Sequence, residues 1–303
     1  MKNKYYDVAA AREALTSIVP SISTPFLENG DVDYKSLRSY VDFLIQGGAK
    51  SLLLTYGDSL LSILTNQEAY DVTRTVVEAA AGRAMVIGCS KEWTLPEMLE
   101  FTETAAGFGC DMMIPFPPAW AGHCSADMLL DYYKAVGKIM PVMILSCTNG
   151  GVPVSVYDRL QPEDGVVAVK DDTAFPYGIE ALSHIRDKMA FLSGGTMKFF
   201  LSQKPFGADG YLSVFARCFP EVEKPFWQAV QEGRLLDAAK IPEKYEIPFF
   251  KWCAANGAHF DAGIRGMMEI AGQTTRYARM PYSHLTDAQM DGLRGFLQEK
   301  GVI

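Results

Sequence analysis

The chain has 303 residues, with 28 Lys+Arg against 36 Asp+Glu and a formal net charge of −8. That balance excludes a general nucleic-acid binder, which needs clustered basic charge to neutralise phosphates. Hydrophobic residues at 49% against 21% charged exclude a disordered chain, and the length allows either two domains or one α/β barrel.

The N-terminal MKNKYYDVAAAREAL has no apolar run of signal-peptide length. No stretch reaches the ~18 apolar residues of a membrane helix, so the expectation is a soluble, cytoplasmic protein. The first strand candidate is 17–23 (SIVPSIS), followed by a helix over Tyr34–Gln46. That helix places Leu37, Tyr40, Val41 and Leu44 on one face, at spacings of three and four, and stops at Gly47-Gly48. Strand 51–56 (SLLLTY), helix Asn66–Ala80 and strand 84–89 (AMVIGC) come next. A helix over 95–106 starts behind Thr94 as N-cap, with Pro96 in its first turn. The alternation continues through strand 111–116 (DMMIPF), helix 125–136 and strand 141–147 (PVMILSC). Strand 165–170 (GVVAVK), helix 175–187, and strands 190–194 (AFLSG) and 210–214 (GYLSV) complete it.

Each strand is short and almost continuously apolar, as in strands covered on both faces. Eight of them alternating with helices predict a (β/α)8 TIM barrel over residues 1–220. A doubly wound sheet is disfavoured, because no G-x-G-x-x-G or Walker A loop follows a strand. From 221 the strands stop. Helical patterns at 221–232, Leu235–Lys244, 248–256, 263–270 and 286–300 predict a C-terminal helical region, 221–303, packed on the barrel.

The six cysteines and four histidines are scattered, without C-x-x-C, zinc spacing or H-E-x-x-H, so no metal is expected and the thiols read as reduced. In a barrel of this kind reactive groups sit at the C-terminal strand ends. Lys170 ends the apolar run GVVAVK. A desolvated lysine amine attacks carbonyls and forms a Schiff base, and the protonated imine is then an electron sink. The bland alternative is an ion pair of Lys170 with Asp171 or Asp172 at a loop mouth. Cys147 reads as an inert buried thiol rather than a nucleophile, and His123 as a loop histidine rather than an acid/base.

Several segments, in order, resemble those of one family: STPFLENGDVD at 23–33, LTNQE at 64–68, GCDMMIPFPP at 109–118, VVAVKDD, LSGG and GADGYLSVFARCFPE. The chain resembles the dihydrodipicolinate synthase/N-acetylneuraminate lyase group of Schiff-base aldolases, as a divergent member. The resemblance implies that Lys170 forms an imine with a pyruvate-type 2-oxo acid. It also implies that no cofactor is needed and that the protein is a homo-oligomer, a dimer or tetramer. Substrate contacts are expected from Thr55, Gly57, Asp58 and Ser59, and from Trp120, Gly194 and Leu212.

The departures are as informative. The family's Gly-Thr-Thr-Gly-Glu carboxylate loop falls either on Tyr56-Gly57-Asp58-Ser59-Leu60 or, with gaps, on Thr55-Tyr56-Gly57-Asp58. Either way an Asp arrives where a substrate carboxylate is held, which is repulsive unless that Asp is neutralised or turned away. The family's fifth-strand tyrosine, a proton relay, is matched by Ser146, whose shorter hydroxyl orients a water at most and does not replace the phenol, so proton transfer is expected to run through a water, His123 or a substrate group. The synthase's arginine after that strand is absent. These losses argue against authentic dihydrodipicolinate synthase activity. The expected function is a carbon–carbon or carbon–oxygen lyase on a 2-oxo acid. The alternative is a family member that kept the barrel as a 2-oxo-acid binding or regulatory protein.

Overall fold

The computed structural model describes residues 3–116, 124–147, 151–173 and 176–303. The strands are β1 (Ile18–Pro20), β2 (Ser51–Leu53), β3 (Met85–Cys89), β4 (Met112–Ile114), β5 (Val142–Ser146), β6 (Val166–Asp171), β7 (Ala190–Ser193) and β8 (Gly210–Ser213). All neighbouring pairs are parallel, in the order β1-β8-β7-β6-β5-β4-β3-β2. A parallel bridge between Ser21 and Leu53, with Ile22 N–H donating to the Leu53 carbonyl at 2.8 Å, joins the two ends. The result is the (β/α)8 TIM barrel read from the sequence.

Seven of the strands fall inside their expected runs but are shorter, because pairing extends only where tilted neighbours overlap; β6 keeps its expected length but is shifted by one residue, ending at Asp171 rather than Lys170. The helices are α1 (Val8–Leu15), α2 (Tyr34–Gln46), α3 (Asn66–Ala80), α4 (Leu95–Phe108), α5 (Ala126–Gly137), α6 (Val154–Arg159), α7 (Tyr177–Ile185) and α8 (Thr196–Gln203). Helices α2 and α3 have the expected bounds. Helix α4 runs two residues further, to a left-handed Gly109. Helices α1, α6 and α8 have no counterpart in the sequence reading. At eight, six and eight residues they are too short for a periodicity to emerge.

The LTNQE segment has a structural explanation. Thr65 and Glu68 form a capping box at the start of α3. Glu68 also takes a two-pronged contact from Arg279, at 2.7 and 2.8 Å, tying the C-terminal tail to the barrel. The Arg279 hydrogen bonds, against a smaller effect of burial, hold the Glu68 carboxyl down at about 2, below its ordinary 4.5. A depressed carboxyl contributes stability that is present above the unfolded value and lost as pH falls through the folded one. Glu68→Gln should therefore destabilise the protein by about 1 kcal/mol at pH 7, since solvent screens a pair this near the surface. It should also flatten the loss of stability between about pH 4.5 and 2, measured by urea denaturation across pH.

Beyond β8 come α9 (Lys224–Gln231), α10 (Leu235–Lys244), α11 (Glu246–Ala255), α12 (Phe260–Ile270) and α13 (Asp287–Lys300). Their apolar faces join the same buried cluster as the barrel. Arg265 of α12, 1% exposed, pairs with Asp261 at 3.0 Å and donates to the Thr24 carbonyl at 2.8 Å. Among the described residues no helix is long and apolar enough to cross a membrane.

Candidate active site

Strands alternate their side chains with a period of two. In β6 this sends Lys170 inward and Asp171 outward. The Lys170 side chain is buried, at the edge of a cavity of about 580 Å³ over the C-terminal strand ends. Asp171 turns back into the helix layer, accepting from Thr173 N–H at 3.1 Å, Thr173 Oγ1 at 2.6 Å and Gln203 Nε2 at 2.9 Å. Asp172, just past the strand, returns to the cavity side, and the Lys170 amine donates to its carboxylate. Burial pushes the Asp172 carboxyl up, Lys170 pulls it down, and the Asp58 charge adds to the rise.

The loop after β2 supplies Thr55, Tyr56, Gly57 and Asp58 to the cavity. Burial pushes the Asp58 carboxyl up, but Arg217, the Ser21 hydroxyl and Lys170 outweigh it, and the group sits below its ordinary value. Ser21 Oγ donates to Asp58 Oδ2 at 2.7 Å, and Arg217 Nη1 lies 3.6 Å from the same oxygen. The acidic residue that the sequence placed awkwardly in a carboxylate loop is thus neutralised from behind. Arg217 is 1% exposed and lines the cavity, donating also to Ser23 Oγ.

Aromatic rings form much of the remaining wall. Tyr56 and Phe116 stack with centroids 4.1 Å apart. Phe199 contributes from α8, Phe250 from α11 and Phe260 from α12, so the C-terminal helices roof the site. The rim at α8 carries Thr196 at φ +76°, a strained conformation for a β-branched residue. Glu246 holds it: its carboxylate accepts from Thr196 Oγ1 at 2.8 Å and from Met197 N–H at 2.9 Å. Burial pushes the Glu246 carboxyl up to about 7.

Of the expected site residues, Lys170, Thr55, Gly57, Asp58, Gly194 and Leu212 line one cavity. Ser59 does not. It is buried inside the loop, donating to the Ile22 carbonyl at 2.6 Å and accepting from Thr55 N–H at 3.0 Å, so it shapes the turn. Ser146 does not either, which corrects the water-orienting role expected of it. Leu145 and Cys147 are the inward residues of that stretch, and Leu145 sits beside Lys170 in the ladder. Ser146 pairs with Asp171 on the outward parity, and its Oγ accepts from Val152 N–H at 3.2 Å. A match displaced by one residue inverts the face of a strand residue. Trp120 and His123 lie outside the described residues.

Cys89 also lines the cavity, with burial pushing its thiol up to about 12, where it is no nucleophile. Among the described residues no group of three or more His, Cys, Asp or Glu is placed to hold a metal ion. Sequence reasoning passed over Arg217 and Glu246, which no local signal marks. The ion pair it weighed between Lys170 and Asp171 or Asp172 forms with Asp172, whose position shares the parity of 170.

Fold and site together define a (β/α)8 barrel with a lysine-bearing cavity at the C-terminal ends of its strands. The dihydrodipicolinate synthetase family model matches residues 14–300, and the chain belongs to that family, whose members are lyases. It is 26% identical over 313 residues to a 4-hydroxy-tetrahydrodipicolinate synthase of Psychrobacter sp. (strain PRwf-1), covering 100% of both chains. It is 23% identical over 289 residues to an uncharacterized DapA-like lyase of Rhizobium meliloti, covering 94% of this chain and 96% of that one. Dihydrodipicolinate synthase from Oceanobacillus iheyensis superposes with a TM-score of 0.85 at 22% identity, covering 98% and 100% of the two chains. A prophage protein of the same family from E. coli K12, solved in complex with pyruvate, gives 0.80 at 19% identity, with 95% and 99% covered.

Proposed function

We propose that the protein is a lyase that acts on a pyruvate-type 2-oxo acid through an imine on Lys170, and that it is not an authentic dihydrodipicolinate synthase. The observation that carries this reading is the Lys170 amine, nearly without solvent exposure, at the inward end of β6 and opening onto a cavity. The neutral amine adds to the C2 carbonyl, and loss of one water leaves a protonated imine. The electron pair of the bond that breaks, at C3, is drawn into the imine to give an enamine. Protonation and hydrolysis then return the amine and release the 2-oxo acid. The pyruvate bound by the E. coli family member supports a 2-oxo acid as the class of ligand. The inward Leu145, where the resemblance places a phenol nearby, supports a reaction other than the synthase's.

Incubation with pyruvate and borohydride should convert Lys170 to its Nε-(1-carboxyethyl) derivative, located by peptide mass spectrometry. Lys170→Ala should give none. An adduct on another lysine, or none with any 2-oxo acid tried, would remove the assignment. A turnover panel of 2-oxo and 3-deoxy-2-oxo sugar acids separates a lyase from a protein that only binds the acid.

A further inference from the structure

The Lys170 reaction needs a proton carrier. Forming the imine from an ammonium and a carbonyl releases one water, so two protons must travel from nitrogen to the departing oxygen. The family resemblance places this relay on β5, but the β5 residue beside Lys170 is Leu145, and the Ser146 hydroxyl is turned outward. Within the cavity, the group in contact with the amine is a carboxylate. Lys170 Nζ donates to both oxygens of Asp172, and a third of the Asp172 side chain is exposed, on the side facing the cavity.

The wall is shaped around that carboxylate. A Cβ on Gly194 would fall 1.5 Å from Asp172 Oδ1 and 2.8 Å from the Asp171 carbonyl, so the β7 end leaves the room that Asp172 occupies. Asp172 N–H donates at 2.7 Å to the Ser146 carbonyl, which fixes the backbone that carries it. The charged and titratable groups around it are Lys170 and Asp171 on its own segment, Asp58 on the β2 loop and Cys89 on β3. Asp58 is already engaged by Arg217 and Ser21, and Cys89 stays a thiol; Tyr56, Cys147 and Lys198 also line the cavity, but the hydrogen bonds from the Lys170 amine go to Asp172, which singles it out to exchange protons.

We propose that Asp172 is the general acid–base group of the Lys170 reaction. The inference rests on the imine reading of Lys170. Asp172 takes one proton from the lysine ammonium, and the freed amine adds to the C2 carbonyl. The second nitrogen proton passes to the new alkoxide. The proton held on Asp172 then goes to that hydroxyl, which leaves as water. The lysine ends as the protonated imine and Asp172 as the carboxylate it began as. Burial that favours the neutral carboxyl suits it to holding a proton between these steps.

The test is the rate of borohydride-trapped adduct at Lys170 with pyruvate, by quenched flow across pH 5–9. It compares wild type with Asp172→Asn, Asp172→Glu and Asp172→Ala, each first checked for a wild-type melting temperature. Asp172→Asn should slow adduct formation roughly 10²–10⁴-fold and remove the limb of the pH profile that a carboxyl contributes. Asp172→Glu should recover part of the rate, and Asp172→Ala should be rescued by added formate in proportion to its concentration. Unchanged or faster trapping in Asp172→Asn, with the wild-type pH profile, would overturn the proposal and make the carboxylate only a tether on the amine. A wild type that forms no adduct is a different failure, that of the imine itself, and both readings then fall.

Discussion

Gly194→Ala should slow the trapping of a 2-oxo acid on Lys170 by about 10²-fold or more while leaving the barrel folded. The new methyl would sit 1.5 Å from Asp172 Oδ1, a separation no pair of atoms sustains. It would also stand 2.8 Å from the Asp171 carbonyl, which accepts from the Gly194 amide at 2.8 Å, so backbone movement offers little relief. The Asp172 carboxylate is the part that can yield, and moving Oδ1 aside breaks its two-oxygen contact with the Lys170 amine. Displacement of a catalytic group by about an ångström costs roughly 10² in rate. The readout is the trapping rate alongside the melting curve. A variant with a near-wild-type rate would mean that Asp172 keeps its place and that Gly194 is not its sterically required neighbour.

The second large effect is on stability. Arg217→Met should cost about 3–5 kcal/mol, because removing one partner of a buried pair leaves the other charge uncompensated. Asp58 would lose the guanidinium at 3.6 Å and keep only Ser21 and the more distant cations. For a chain of this size that corresponds to a fall in melting temperature of roughly 10 °C. Adding Asp58→Asn to Arg217→Met should return part of the loss, since the uncompensated charge is then gone, and the coupling is measured by the double-mutant cycle. A loss below about 1 kcal/mol in Arg217→Met would show that Asp58 finds water or protonates instead, and that the cavity is wetter than its packing implies.

The barrel is legible in the amino-acid sequence because its signal is local and repeated. Runs such as VVAVK and PVMILS are apolar along their whole length because both strand faces are covered, and α2 and α3 show a helical stripe with a turn or cap at the boundary. Lys170 was legible for the same reason, as one charged residue ending an apolar strand. Helices α1, α6 and α8 were not, since six to eight residues hold barely two turns and tertiary packing stabilises them.

The resemblance also named Thr55, Gly57, Asp58, Gly194 and Leu212, which line the cavity, but how the site is wired depended on facts that no local pattern contains. Whether position 145 or 146 faces the cavity is a question of strand parity, and a motif match that is off by one residue gives the opposite answer, as it did for Ser146. The Asp58 charge looked incompatible with a carboxylate pocket until Arg217, 159 positions later in the chain, was found against it. The amino-acid sequence by itself determined the eight strands, the longer helices between them, the barrel and the lysine, because hydrophobic periodicity is written residue by residue. Only the tertiary structure decided which side chains share the cavity and which charges cancel. Those outcomes depend on distances between segments far apart in the chain, and burial strengthens each such charge interaction by excluding water.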